Sequence, residues 1–233
     1  MNNLVIIYFN LNYYLIITLK ILKKEQKYII SPEINSLNRF SPKLKIAILA
    51  SGEGSNFQVL IDLAKKEKFD IDIKLLICNK KNAGCVRRAI EEKISYFICE
   101  ESSCKNSDDF EQKIIDKLID NDIELIVMAG WMKIVSEKFI NSINRKIINI
   151  HPSILPSFKG KNPVKDALEN GSFITGCSVH YVVPEVDSGE LIIQGAITIN
   201  KSESIENVTK NIHKIEHLIL PFAISEAGFK IRR

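Results

Sequence analysis

The chain lacks the two glycine signatures that most often announce a nucleotide site. In "ASGEGSN" (50–56) the third glycine of a dinucleotide fingerprint is replaced by Phe57, which argues against NAD, and the Gly-Lys-Ser/Thr ending of a P-loop is missing as well. The five cysteines (Cys78, Cys85, Cys99, Cys104 and Cys177) contain no Cys-x-x-Cys pair and no nearby histidine that would complete a zinc set. This pattern points to a reducing compartment, the cytoplasm, and to no metal site. The net charge of +4 comes without a basic helix or an aromatic-interleaved basic stripe. Nucleic acid is therefore set aside as a partner, while small anionic ligands stay open.

The first forty residues differ from the rest. "LVIIYFNLNYYLIITLKIL" (4–22) has nearly the length of a membrane span, but Asn10, Asn12 and Thr18 interrupt it and lysines at 20, 23, 24 and 27 follow. No Lys or Arg precedes it, no small-residue cleavage site follows, and it has no Arg, so it fits neither a secretory signal nor a transit peptide. An amphipathic or disordered arm, or sequence upstream of the true start, is preferred over a membrane anchor. "SPEINSLNRFSPK" (31–43), with two Ser-Pro steps and no periodic pattern, reads as a linker. Residues 1–43 are thus expected to be a flexible appendage, and 44–233 the catalytic domain.

At 233 residues and 45% hydrophobic content the chain can bury a sizeable core. From Lys45 on, short β-branched runs alternate with helical patterns, the signature of stacked βαβ units. Strands are read at 45–50, 73–79, 96–100, 124–130 and 146–150, with helices between them. "PSILPSFKGKNP" (152–163) breaks the pattern, and a helix closed by Gly171 follows. Alternating runs at 174–183 and 191–199 read as a hairpin or meander on one sheet edge, before a final helix over about 204–227 with Ile212, Ile215, Ile219 and Phe222 inward. The fold class is α/β: Rossmann-like, a mostly parallel sheet with helices on both faces and C-terminal antiparallel strands.

Three places carry candidate chemistry. The 50–56 loop opens a helix, so its glycines and first-turn amides suit a phosphate or oxyanion, although a plain tight turn with Ser55 as N-cap explains the residues equally well. In "IINIHPS" (147–153), Asn149 and His151 stand two apart at the C-terminal end of a strand and project from one face. An amide and an imidazole so placed can hold a developing oxyanion, while a lone histidine is just as readily structural. Asp187, in the loop "PEVDSGE" (184–190), is the acid that could keep the imidazole protonated and relay protons through water; as a bare pattern it is a turn aspartate.

Taken together and in order, "ASGEGSN", "AGWMKIV", "IINIHPSILPSF", "DALENG", "GCSVHYV" and "EVDSGELIIQ" resemble the phosphoribosylglycinamide formyltransferase family from about Lys45 onward. The resemblance implies transfer of a formyl group from 10-formyltetrahydrofolate, the co-substrate, to the amine of glycinamide ribonucleotide in purine biosynthesis, with no metal. It implies a catalytic triad of Asn149, His151 and Asp187, with Asn149 and His151 on the oxyanion and Asp187 assisting proton transfer. Gly54, Ser55, Asn56 and Glu216 would hold the phosphate and ribose. Met132, Lys133, Ile134, Val135, Asn149, Val183, Pro184 and Glu185 would hold the folate, with Ser178 and His180 in support.

Two positions depart from the family's pattern. Ser107 stands where an arginine often meets the folate's glutamate tail, with Lys105 or Lys133 as substitutes, and Glu53 stands where Asn is common. The runner-up reading is formyltetrahydrofolate deformylase, a hydrolase that needs the same triad but adds a regulatory domain before this core. Methionyl-tRNA formyltransferase adds a C-terminal domain, and a non-catalytic binder of a nucleotide or phosphate is a third rival. A homodimer is left open.

Overall fold

The structure, a computed structural model, describes residues 28–143, 146–200 and 202–233. The apolar stretch 4–22 and the lysine cluster lie outside the described residues. Among those described, no helix is long and apolar enough to cross a membrane.

Among the described residues eight strands form one sheet: β1 (Tyr28–Ser31), β2 (Leu44–Ala50), β3 (Ile71–Cys78), β4 (Tyr96–Ile98), β5 (Leu125–Ala129), β6 (Lys146–His151), β7 (Ile174–Tyr181) and β8 (Leu191–Thr198). Their order is β1-β8-β7-β6-β5-β2-β3-β4. The five strands from β6 to β4 run parallel, and β7, β8 and β1 are added antiparallel. The centre of the sheet is built from continuous apolar runs, Ile46–Ala50, Leu75–Cys78 and Leu125–Ala129, because both faces are covered there. Along β2, Ile46, Ile48 and Ala50 face one hydrophobic cluster, Ala47 and Leu49 the other.

The first cluster is closed by α1 (Ser55–Lys65), α2 (Gly84–Glu91), α5 (Pro163–Glu169) and α6 (Ile205–Ile231). The second is closed by α3 (Ser107–Asp120) and α4 (Glu137–Ser142). In α6 the residues Ile212, Ile215, Ile219 and Phe222 are buried, as their spacing predicts. α6 lies close on β8 because position 195 is a glycine: an added Cβ there would collide with Ile215. Gly171, at φ +67, follows α5 in the left-handed conformation that ends helices.

The segment 28–43, read as the end of a flexible appendage and from residue 31 as a linker, is where sequence and structure differ. Residues 28–31 pair with β8 as β1, and residues 32–43, though irregular, lie on the domain. Phe40 is buried in the first cluster, and the Asn38 main-chain N–H donates to Ser225 Oγ on α6 at 2.6 Å. Two Ser-Pro steps prevent regular pairing, but apolar Phe40 has a core to enter and Asn38 has polar partners on the helix.

Strand order reverses between β2 and β5, so the loops after these strands diverge and leave a crevice at their C-terminal ends. The two loops are tied at its base: Ser51 N–H donates to Gly130 O at 2.9 Å, and Met132 N–H to Ser51 Oγ at 3.0 Å.

Candidate active site

A cavity of about 620 Å³ occupies that crevice. One wall is the loop before α1. Gly54 is its N-cap, in the left-handed region at φ +72, and no side chain caps the helix. The Ser55 N-cap reading is therefore corrected: Ser55 is the first helical residue, because only glycine turns the chain this way without strain. A Cβ on Gly54 would also lie 2.7 Å from Cys85 Cβ. The first-turn amides of α1 have no acceptor within the helix, and Gly54, Ser55 and Asn56, where they begin, line the cavity. Glu53, which would repel an anion there, turns its carboxylate over Gly84 on α2, and its carbonyl accepts from Arg88 Nε at 2.8 Å.

Beneath this loop lies a buried polar pair. Asn56 Nδ2 donates to Glu216 Oε2 at 2.9 Å, while Asn56 Oδ1 is buried without a protein partner. Burial pushes the Glu216 carboxyl above the usual carboxylate range, against the hydrogen bond from Asn56 and the charge of His213. Thr209 and His213 also line the cavity; His213 is one turn before Glu216 on the same face of α6. That spacing was a usable signal for His213 and was missed.

The opposite rim is apolar. Met132 and Ile134, both highly exposed, rise from the loop after β5, and Val183, Pro184 and Val186 from the loop after β7; all line the cavity. Lys133 and Val135 line it too, and the Lys133 ammonium pairs with Glu101. Glu185 is not among the lining residues; it pairs with Lys159 at 3.6 Å.

Between the two walls stand the groups at the end of β6. Asn149 and His180 are cross-strand partners on β6 and β7, and Asn149 Nδ2 lies 3.2 Å from His180 Nε2. His180 Nδ1–H donates to Tyr181 O at 2.8 Å, so in the neutral ring Nε2 accepts from Asn149, while in the protonated ring Nε2–H turns to Asp187 Oδ1. His151, 6% exposed, donates Nε2–H to the Phe158 carbonyl at 2.9 Å and turns Nδ1 to Asp187 Oδ2 at 3.4 Å. Each ring nitrogen thus faces an acceptor, an arrangement that gives the protonated ring a partner for both N–H groups.

Asp187 sits at φ +49 and is reached by Gly160 N–H at 2.9 Å and by His180 Nε2 at 3.6 Å. Burial works against its ionisation, but His180, the Gly160 N–H and the charge of His151 together hold the Asp187 carboxyl below the usual carboxylate range. Ser178 does not line the cavity. Its hydroxyl donates to Ser153 O at 2.7 Å and accepts from Leu155 N–H at 3.1 Å and Gln194 Nε2 at 2.9 Å, fixing the irregular turn that carries Phe158 and Gly160 toward His151 and Asp187. Those two main-chain groups had no sequence signal, since any residue supplies a carbonyl and nearly any an N–H.

The polar groups with chemical capacity thus converge on one crevice at the strand ends, the arrangement of an α/β enzyme that works on small molecules. The sequence gives the particular kind: residues 44–224 match the formyl transferases, and the chain belongs to that family. Phosphoribosylglycinamide formyltransferase of Bacillus subtilis (strain 168) is 39% identical over 182 residues, covering 78% of this chain and 93% of that protein. The trifunctional purine biosynthetic protein adenosine-3 of Homo sapiens is 36% identical over 190 residues, which is 80% of this chain but 19% of that much longer one. Among solved structures, glycinamide ribonucleotide transformylase 1 from Geobacillus kaustophilus has a TM-score of 0.76 at 33% identity, over 79% of this chain and 98% of that one.

Proposed function

We propose that this chain transfers the formyl group of 10-formyltetrahydrofolate to the primary amine of glycinamide ribonucleotide. The observation that carries the reading is the shared cavity: a glycine loop at a helix start on one side, an apolar rim on the other, and Asn149, His151, His180 and Asp187 between them. The named relatives, formyltransferases that align along nearly the whole domain, support the same reaction.

In this reading the phosphate lies on the amides of Gly54, Ser55 and Asn56, and Glu216 takes the ribose hydroxyls with Asn56 Oδ1 as a neighbouring acceptor. The pterin of the folate lies between Met132–Val135 and Val183–Pro184. The amine attacks the formyl carbon as the neutral base and gives a tetrahedral intermediate, whose oxyanion is met by Asn149 Nδ2–H and a His151 N–H. Nε2 of His151 reaches that oxygen by exchanging its bond to Phe158 O. Asp187 orients the ring through Nδ1, balances its charge, and takes the proton shed by the attacking nitrogen, directly or through one water.

The test is formyl transfer with and without glycinamide ribonucleotide. Turnover that requires the amine supports the proposal, whereas folate deformylation in its absence would favour the hydrolase, which has no support among the relatives named above.

A further inference from the structure

Two cysteines outside the proposed site are brought together by the turn that follows β4. Cys99 is buried at the strand end, and Cys104 closes the 3-10 turn Glu101–Ser103; their sulfurs are 3.8 Å apart. Cys104 is partly exposed, and Lys113 Nζ on α3 lies 3.6 Å from its sulfur. Cys78 and Cys85 form a second close pair at 3.5 Å, but both are wholly buried, where thiols meet little oxidant. Only the first pair joins contact to access.

We infer that Cys99 and Cys104 are a reversible oxidation site, closed to a disulfide by hydroperoxides. The Cys104 thiolate attacks the peroxide, whose O–O bond breaks; sulfur is oxidised by two electrons to the sulfenic acid and hydroxide or alkoxide leaves, taking up the proton the thiol gave. Cys99 sulfur then attacks the sulfenic sulfur, the S–O bond breaks, and the departing hydroxide leaves as water with the Cys99 proton. Burial, with the hydrogen bond to Cys104, pushes the Cys99 thiol up to about 12, so the partly exposed Cys104 is the thiol that meets the peroxide first, and Cys99 follows because its sulfur is held 3.8 Å away. Closure draws the sulfurs from 3.8 Å to the ~2.0 Å of a disulfide.

The turn closed in this way contains Glu101, the partner of Lys133 in the loop after β5. Oxidation therefore reaches the proposed folate wall, and this consequence alone rests on the proposed function.

Both cysteines fall in one tryptic peptide, residues 94–105. The full chain is treated with hydrogen peroxide, alkylated, digested and weighed, with and without prior dithiothreitol. The expected result is that this peptide loses two hydrogens, resists alkylation at both sites, and recovers with the reductant. Alkylable thiols fall from five to three, since the disulfide removes two. In Cys104→Ser, Cys99 stays free after the same treatment. A peptide alkylated as before, a Cys104 sulfinic or sulfonic acid beside a free Cys99, or a disulfide at Cys78 and Cys85 alone would overturn the assignment. The KM for formyl-folate is expected to rise several-fold in the oxidised wild type and to stay constant in Cys104→Ser; a fully formed disulfide with unchanged KM would refute the link to Lys133 while leaving the site itself established by the peptide.

Discussion

Nδ1 of His151 lies 3.4 Å from Oδ2 of Asp187, and that carboxylate oxygen is also held by the Gly160 N–H at 2.9 Å. The strand end and two irregular loops are therefore fastened at one point, and the imidazole is aimed by an anion that the main chain itself keeps in place. Replacing Asp187 by Asn preserves the shape and removes the charge. We expect kcat to fall by about 100-fold or more with KM for the ribonucleotide little changed, as for loss of an acid–base partner. Steady-state kinetics of Asp187→Asn check it, and an unchanged kcat would remove Asp187 from the chemistry.

The two histidines that flank this carboxylate should separate in their effects. His151→Ala removes the ring that meets Phe158 and Asp187 and is expected to lower kcat by roughly 100- to 10,000-fold. His180→Ala leaves the proposed oxyanion donors present and loosens Asn149. A loss of about fivefold is expected there, in line with removing a supporting hydrogen bond of about 1 kcal/mol. Equal losses in single-turnover experiments would contradict the division of roles.

The Asp187 carboxyl is held low in the fold, so its contacts stabilise the native state above the carboxyl's unfolded value, near 3.9. The stabilisation is lost as pH falls through the lower, folded value. Urea unfolding should therefore show a wild-type advantage over Asp187→Asn near neutrality that shrinks below about pH 4. An advantage that grew on acidification would refute the assignment.

Glu216 gives the opposite sign. Its folded carboxyl is raised by burial, so ionising it costs more in the fold than in the unfolded chain, and stability declines as pH rises past the unfolded value toward the folded one. Glu216→Gln should be at least as stable as wild type at neutral pH, yet bind the ribonucleotide more weakly. Paired denaturation and KM measurements test this exchange of stability for binding.

Gly54→Ala places a Cβ 2.7 Å from Cys85 Cβ at a φ of +72. The strain is expected to cost ~1–3 kcal/mol of stability and to raise KM for the phosphate-bearing substrate, with competitive inhibition by inorganic phosphate weakened in parallel.

Much of this was legible from residue pattern. The apolar runs Ile46–Ala50, Leu75–Cys78 and Leu125–Ala129 within β2, β3 and β5 read as interior strands, and the inward face of α6 followed from its spacing. Asn149 and His151 were found because a strand tip is a place where polar groups are otherwise unwelcome. Their convergence with Asp187 was not legible from spacing, since it depends on how two irregular loops meet; the family resemblance suggested it. β1 was missed for a different reason: "YIIS" has no alternation of its own, and it is a strand because β8 offers it a hydrogen-bonding partner. Phe40 was likewise hidden between two Ser-Pro steps that read as a connector, so its place in the core emerged only from the packing.

Among the described residues the outermost strands of the sheet are its shortest, four residues in β1 and three in β4. Unpaired main-chain groups on a sheet's margin are a template on which a foreign strand can grow, and the template's length sets how firmly an intruder is held. By laying a brief strand over the eight-residue β8, the N-terminal segment exchanges a long adhesive margin for a short one. The four residues of β1, paired with Gln194–Ile197, thus occupy the middle of a margin on which a second copy could otherwise add a strand.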